Sequence, residues 1–128
     1  MKKILIVNAN YYKEISYNLL LNAKKQLLNA KFKISILNTP GAFEIPIAIR
    51  KNINKFDGFV ALGCVIKGQT PHFDFISQAS TNAIMDLSIL NKKPIGNGII
   101  TCLNMNQAKV RRKKGAEAAD AVNSVLLQ

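Results

Sequence analysis

One stretch limits the possible folds more than any other: Gly63-Cys64-Val65-Ile66-Lys67-Gly68-Gln69-Thr70-Pro71-His72-Phe73-Asp74-Phe75. Just before it, Phe59-Val60-Ala61-Leu62 is a continuous apolar run. Such a run reads as a strand over 59–64 buried on both faces, as in a parallel sheet. After it, Ile76, Ala79, Ala83, Leu87 and Leu90 recur at spacings of three and four, which predicts a helix ending near Asn91. The turn between them carries a lysine, a glycine, a hydroxyl and the only histidine of the chain. It is a strand C-terminus feeding a helix N-terminus, the place where open α/β sheets hold their ligands.

Thr70 precedes a proline, so its backbone is pushed toward extended geometry, as an N-cap requires. Proline suits the first helical position because its missing N–H has no partner there. Thr70 is therefore the expected N-cap and Pro71 the first helical residue, to within a residue or two. The free N–H groups and the positive end of the helix dipole make this an anion site. His72 falls in the first turn, where the dipole disfavours imidazolium, and a neutral imidazole there can take a proton. The plainer alternative is a helix-start residue packed on its neighbours.

The rest of the chain repeats the pattern. Residues 3–7 read as a first strand, followed by a loop with Tyr11 and Tyr12 and a helix marked by Ile15, Leu19, Ala23 and Leu27. Either tyrosine suits stacking on a planar ligand or ordinary packing over the helix. Residues 33–37 alternate as a second strand. Pro40-Gly41-Ala42-Phe43-Glu44 then leads into a helical pattern through Ile49 and Ile53. Glu44 in that first turn either stabilises the dipole or accepts hydroxyls of a ligand. A fourth strand covers 95–103, and its Gly96 and Gly98 imply a close backbone approach or a ligand wall. A short helix from Met105 to about Arg112 and a last helix from Gly115 follow, the latter burying Ala116, Ala119, Val122, Val125 and Leu126.

Strands alternating with helices imply an α/β fold, a parallel sheet with helices on both faces. At 128 residues the chain suffices for a single domain spanning 1–128. No apolar stretch approaches the ~20 residues of a membrane helix. The apolar run after Lys2-Lys3 is cut short by Asn8 and reads as a strand rather than a signal sequence, so a cytoplasmic location is expected. Cys64 and Cys102 each sit in apolar strand-like runs and read as small buried hydrophobes. No dinucleotide fingerprint, P-loop or metal-ligand spacing occurs, so no cofactor is expected. The net charge is +11; most lysines are scattered on helix faces, and the one dense cluster is Lys109, Arg111, Arg112, Lys113 and Lys114. That cluster has no aromatic platform or RNA-recognition signature, which argues against nucleic acid and for a solvated surface or a bound anion.

The motifs Pro40-Gly41-Ala42-Phe43-Glu44-Ile45-Pro46, Gly63 through Asp74, and Lys114-Gly115-Ala116-Glu117-Ala118-Ala119 together resemble the lumazine synthase family (6,7-dimethyl-8-ribityllumazine synthases). The match runs in order along nearly the whole chain. It implies a flavodoxin-like three-layer α/β/α sandwich with a four-stranded parallel sheet in the order 2-1-3-4. It also implies a homo-oligomer, a pentamer or a 60-mer of twelve pentamers, with each site shared between two subunits and with riboflavin synthase as a conceivable partner. The implied reaction is the cofactor-free condensation of 5-amino-6-(D-ribitylamino)uracil with 3,4-dihydroxy-2-butanone 4-phosphate, releasing phosphate and water, in riboflavin biosynthesis.

The resemblance further implies that Tyr11 stacks on the uracil ring, where the family usually has Phe, and that Val65 and Ile66 flank it. Ala42, Phe43 and Glu44 would line the ribityl chain. Gln69 and Thr70 would hold phosphate, clamped by Arg111 of the next subunit. His72 would transfer protons, and Lys114 would face the ring. Three features depart from the family pattern. The chain starts almost at its first strand, whereas many members have a preceding segment that pairs with a neighbour's sheet. The segment from Arg111 to Lys114 is short, which leaves Arg112 as an alternative clamp. Asn97 stands at the ring pocket where many members have Phe. Two other readings are a riboflavin synthase of the archaeal type on the same fold, against which the Gly-Gln-Thr-Pro-His turn speaks, and a non-enzymatic basic binding module.

Overall fold

A computed structural model describes all 128 residues. The strands are β1 (Lys3–Ala9), β2 (Lys33–Thr39), β3 (Gly58–Ile66) and β4 (Ile95–Cys102). The helices are α1 (Lys13–Asn29), α2 (Ile45–Lys51), α3 (His72–Asn91), α4 (Met105–Val110) and α5 (Lys114–Leu126), with one 3-10 turn, Ala42–Glu44, leading into α2. The strands form one parallel sheet in the order β2-β1-β3-β4, the topology the motifs imply. The register is set by pairs such as Ile6 with Ile36 and with Val60, and Val60 with Gly96.

Because side chains alternate across a strand, β1 and β3 each feed two cores. Ile4, Ile6, Val60 and Leu62 meet Leu19, Ala23, Leu27, Ala119 and Val122 of α1 and α5. Leu5, Val7, Phe59 and Ala61 meet Ile45 and Ile49 of α2 and Ile84 of α3. The result is helices on both faces of a sheet whose two central strands are buried over Ile4–Ala9 and Gly58–Cys64, as the run 59–62 predicts. Full burial of each such side chain contributes about 1.5–3 kcal/mol. β3 extends beyond its expected 59–64 because Val65 and Ile66 continue the ladder with Thr101 and Cys102 of β4.

Several expectations from periodicity need correction. α3 buries Ser80 and Ile84, with Ile76 and Leu87 partly covered, while Ala79 is exposed and Leu90 is 80% exposed. The helix is apolar around most of its circumference, so the stripe in its sequence marked the outward face as strongly as the inward one. α5 buries Ala118 with Ala119 and Val122, and Val125 points outward. Of the two readings for Gly96 and Gly98, close approach holds and the ligand wall does not: α5 crowds Gly96, and the adjoining strand β3 crowds Gly98. A Cβ at Gly96 would collide with the Ala118 carbonyl of α5, and one at Gly98 would lie 2.6 Å from Leu62 Cδ2.

The loops after β1, β2 and β3 leave the sheet at one edge, its C-terminal end. Asn10 N–H donates to the Thr39 carbonyl at 3.0 Å, which ties the first two loops together.

Candidate active site

The three loops enclose a cleft of about 580 Å³. Its walls are Tyr11 and Tyr12 from the first loop, Gly41 to Glu44 from the second, and, on either side of the third, Cys64, Val65 and Ile66 at the end of β3 and His72 and Ile76 in the first turns of α3. Seven residues expected from the sequence are therefore gathered here: Tyr11, Ala42, Phe43, Glu44, Val65, Ile66 and His72. The walls are mostly apolar, with one carboxylate and one imidazole, the make-up of a small-molecule site.

Local forces fix each wall. Ser16 Oγ donates to the Ala9 carbonyl at 2.6 Å, and Ser16 N–H donates to the Tyr12 carbonyl at 2.9 Å. The tyrosine loop is thereby closed at both ends. Thr39 Oγ1 donates to the Gly41 carbonyl at 3.1 Å, holding the turn that presents Phe43 and Glu44. At the third loop the Thr70 hydroxyl accepts from His72 N–H at 3.4 Å, and Phe75 N–H donates to the Pro71 carbonyl at 3.2 Å. The structure shifts the expected cap by one residue, with Pro71 as the N-cap and His72 the first residue of the helix. Gln69 and Thr70 are exposed and line no cleft wall.

The buried Cys64 thiol is pushed up to about 12, chiefly by desolvation and then by the neighbouring Cys102. It is a neutral, inert wall at ordinary pH, since only thiolates are nucleophilic. Burial, then Cys64 and Tyr11, also raise the Tyr12 phenol, which stays protonated.

The remaining expected residues lie elsewhere. Asn97, Arg111 and Lys114 line a second cleft of about 630 Å³ along β4, together with Thr81, Thr101, Lys113 and Glu117. Its charged rim is built by α4 and the turn after it. Asn104 caps α4 by accepting from Gln107 N–H at 2.9 Å, and Gln107 Oε1 accepts from Leu103 N–H at 2.8 Å. That reciprocal cap fixes where the basic turn begins. Arg111 Nη1 donates to the Thr101 carbonyl at 3.1 Å and approaches Cys102 Sγ at 3.8 Å. Arg112 lines neither cleft. Lys114 Nζ lies 3.6 Å from Glu117 Oε2, an exposed pair that leaves the ammonium free to change partners. The two clefts share no lining residue. Cation and imidazole are thus parted within one chain.

The residues leave Tyr11 and Tyr12 both open as ligand contacts and the family resemblance selects Tyr11, whereas Cys64 reads only as a buried hydrophobe; the cleft takes in all three. Tyr12 carried a signal, its place at the entry to α1 three residues before Ile15. Cys64 carried none, because nothing in an apolar run tells which member ends at a cleft.

Comparison with known proteins gives the family. The family model described as 6,7-dimethyl-8-ribityllumazine synthase matches residues 1–127. Proteins carrying that same name include one from Methylorubrum extorquens, 40% identical over 97% of this chain and 79% of its own length. Another, from Bartonella tribocorum, is 44% identical over 92% of this chain and 83% of its own. A third, from Agrobacterium fabrum, is 42% identical over 96% and 91%. With the family model matching residues 1–127 and relatives 40–44% identical over most of the chain, the chain belongs to the 6,7-dimethyl-8-ribityllumazine synthase family.

Proposed function

We propose that the protein is a transferase that condenses 5-amino-6-(D-ribitylamino)uracil with 3,4-dihydroxy-2-butanone 4-phosphate to give 6,7-dimethyl-8-ribityllumazine. The observation that carries the reading is the convergence of the tyrosine loop, Glu44 and His72 on one mostly apolar cleft. The uracil ring lies on Tyr11 between Val65 and Ile66, and Glu44 accepts hydroxyl protons of the ribityl chain beside Ala42 and Phe43. The substrate amine attacks the ketone, and water leaves as an imine forms. His72 relays the proton that accompanies loss of phosphate, and the second nitrogen closes the ring with loss of a further water.

The phosphate needs a cation that the first cleft does not hold. Gln69, Thr70 and the start of α3 offer neutral donors, and Arg111 of a neighbouring subunit supplies the charge, with Lys114 beside the ring. A site split in this way calls for a ring of subunits, read here as a pentamer. The split of Arg111 and His72 between clefts supports this assembly, and the lining of the second cleft favours Arg111 over Arg112. No helix is long and apolar enough to cross a membrane.

The test is to mix purified protein with both substrates and follow lumazine absorbance. A rate well above the spontaneous condensation is expected, and a rate equal to it ends the reading.

A further inference from the structure

We propose that Tyr12 is a positioning residue for the pyrimidine substrate, acting by holding the ring of Tyr11 in the orientation that stacks on the heterocycle. The inference rests on the function proposed above. Tyr11 is 72% exposed and sits on a loop, so its ring has little of its own surroundings to select a rotamer. The aromatic ring packed against it is that of Tyr12, with centroids 4.9 Å apart and planes at 90°. Edge-to-face contact is the favoured geometry for such a pair, because the positive edge of one ring meets the negative face of the other.

Tyr12 is suited to hold its neighbour because it is itself held. Its side chain is partly buried and packs against the core formed by α1, α5 and the sheet. Its carbonyl accepts the Ser16 N–H, and the Ser16 hydroxyl reaches back to Ala9 at the end of β1. Backbone and ring are therefore both anchored, and the same ring forms part of the cleft wall beside Cys64. The order of support runs from core to Tyr12, from Tyr12 to Tyr11, and from Tyr11 to the ligand. An ordered stacking ring removes the need to freeze it when substrate binds, which lowers the entropic cost of association.

Steady-state kinetics of four variants tests this. Tyr12→Leu keeps apolar bulk and removes the ring edge, while Tyr12→Phe keeps the ring. Tyr12→Leu should raise KM for the pyrimidine substrate roughly three- to tenfold, the size an edge-to-face pair supports. KM for the phosphate substrate and kcat should stay within about twofold, as loss of uniform binding predicts. Tyr12→Phe should retain the parent KM. In a Tyr11→Ala background, Tyr12→Leu should add no further penalty, because the two act as one unit. Tyr12→Met serves the same comparison should the leucine variant fail to fold.

A Tyr12→Leu protein with parental KM, beside a Tyr11→Ala protein with a raised one, overturns the proposal and leaves the stacking role of Tyr11 standing. Additive penalties overturn it too, as does a Tyr12→Phe protein as impaired as the leucine variant. An unchanged KM in Tyr11→Ala removes the stacking role itself, and the proposal with it.

Discussion

His72 and Arg111 separate two kinds of contribution at the scale of single residues. General acid–base help is worth roughly 10²–10⁴-fold, and the imine chemistry has reactivity of its own, which places the effect at the low end. His72→Ala should therefore lower kcat by about 10²-fold or less, with KM for both substrates little changed. Arg111→Ala should instead raise KM for the phosphate substrate, because it removes a charge-assisted contact made before and during the reaction. Initial-rate measurements with each substrate varied in turn distinguish the two patterns. Cys64 offers a check by pH. Burial pushes its thiol up to about 12, above the ordinary thiol range. A raised value means that the folded state holds the proton more tightly. The contribution to stability is then complete below about pH 9 and is lost as pH climbs toward 12. Urea unfolding across that range should show the parent weakening more steeply than Cys64→Ala. Equal slopes would show that the thiol is not shifted. Alkylation of folded protein at pH 8 should be correspondingly slow.

At the scale of elements, close approach between α5 and the sheet decides stability. Gly96 leaves no room for a Cβ beneath the Ala118 carbonyl, and a Cβ at Gly115 would meet the Leu19 carbonyl of α1. Gly96→Ala should thus force α5 outward at a cost of roughly 1–3 kcal/mol, and the thermal midpoint should drop by several degrees. An unchanged midpoint would mean that the helix shifts at no cost.

The same elements show what was legible in the sequence. β3 could be placed because an unbroken apolar run bounded by Gly58 and the Lys67-Gly68 turn has one economical reading, a central strand. The cap at Thr70 and Pro71 could be placed to within one residue because the chemistry of proline is local. The inward face of α3 could not, since Ile76, Ala79 and Ala83 compete with Ser80 and Ile84, and burial of a serine leaves no trace in an apolar pattern. Ser80 is satisfied there by donating its hydroxyl proton to the Ile76 carbonyl, a bond that spacing does not announce. The purpose of Gly96 was equally hidden, because the strand does not reveal which helix comes to lie on it. Within the site, the cleft formed by three loops followed from β-α order, whereas the separation of Arg111 from His72 depended on the path of α4 and its cap at Asn104.

For the whole molecule, the apolar outer face of α3, with Phe75 66% and Ile89 65% exposed, agrees with a chain that packs against copies of itself. If each site draws His72 from one subunit and Arg111 from the next, mixtures should complement. Co-refolding His72→Ala with Arg111→Ala at equal amounts should restore activity at about a quarter of the sites, those with both intact halves, under random closed-ring assembly. Mixtures no more active than the better parent would sink the shared site.

If one catalytic centre is partitioned over two surfaces as proposed, protein concentration becomes a control on rate. A chain released from ribosomes into dilute surroundings would then hold a half-finished cleft, and turnover per chain should rise cooperatively as neighbours meet, then level off.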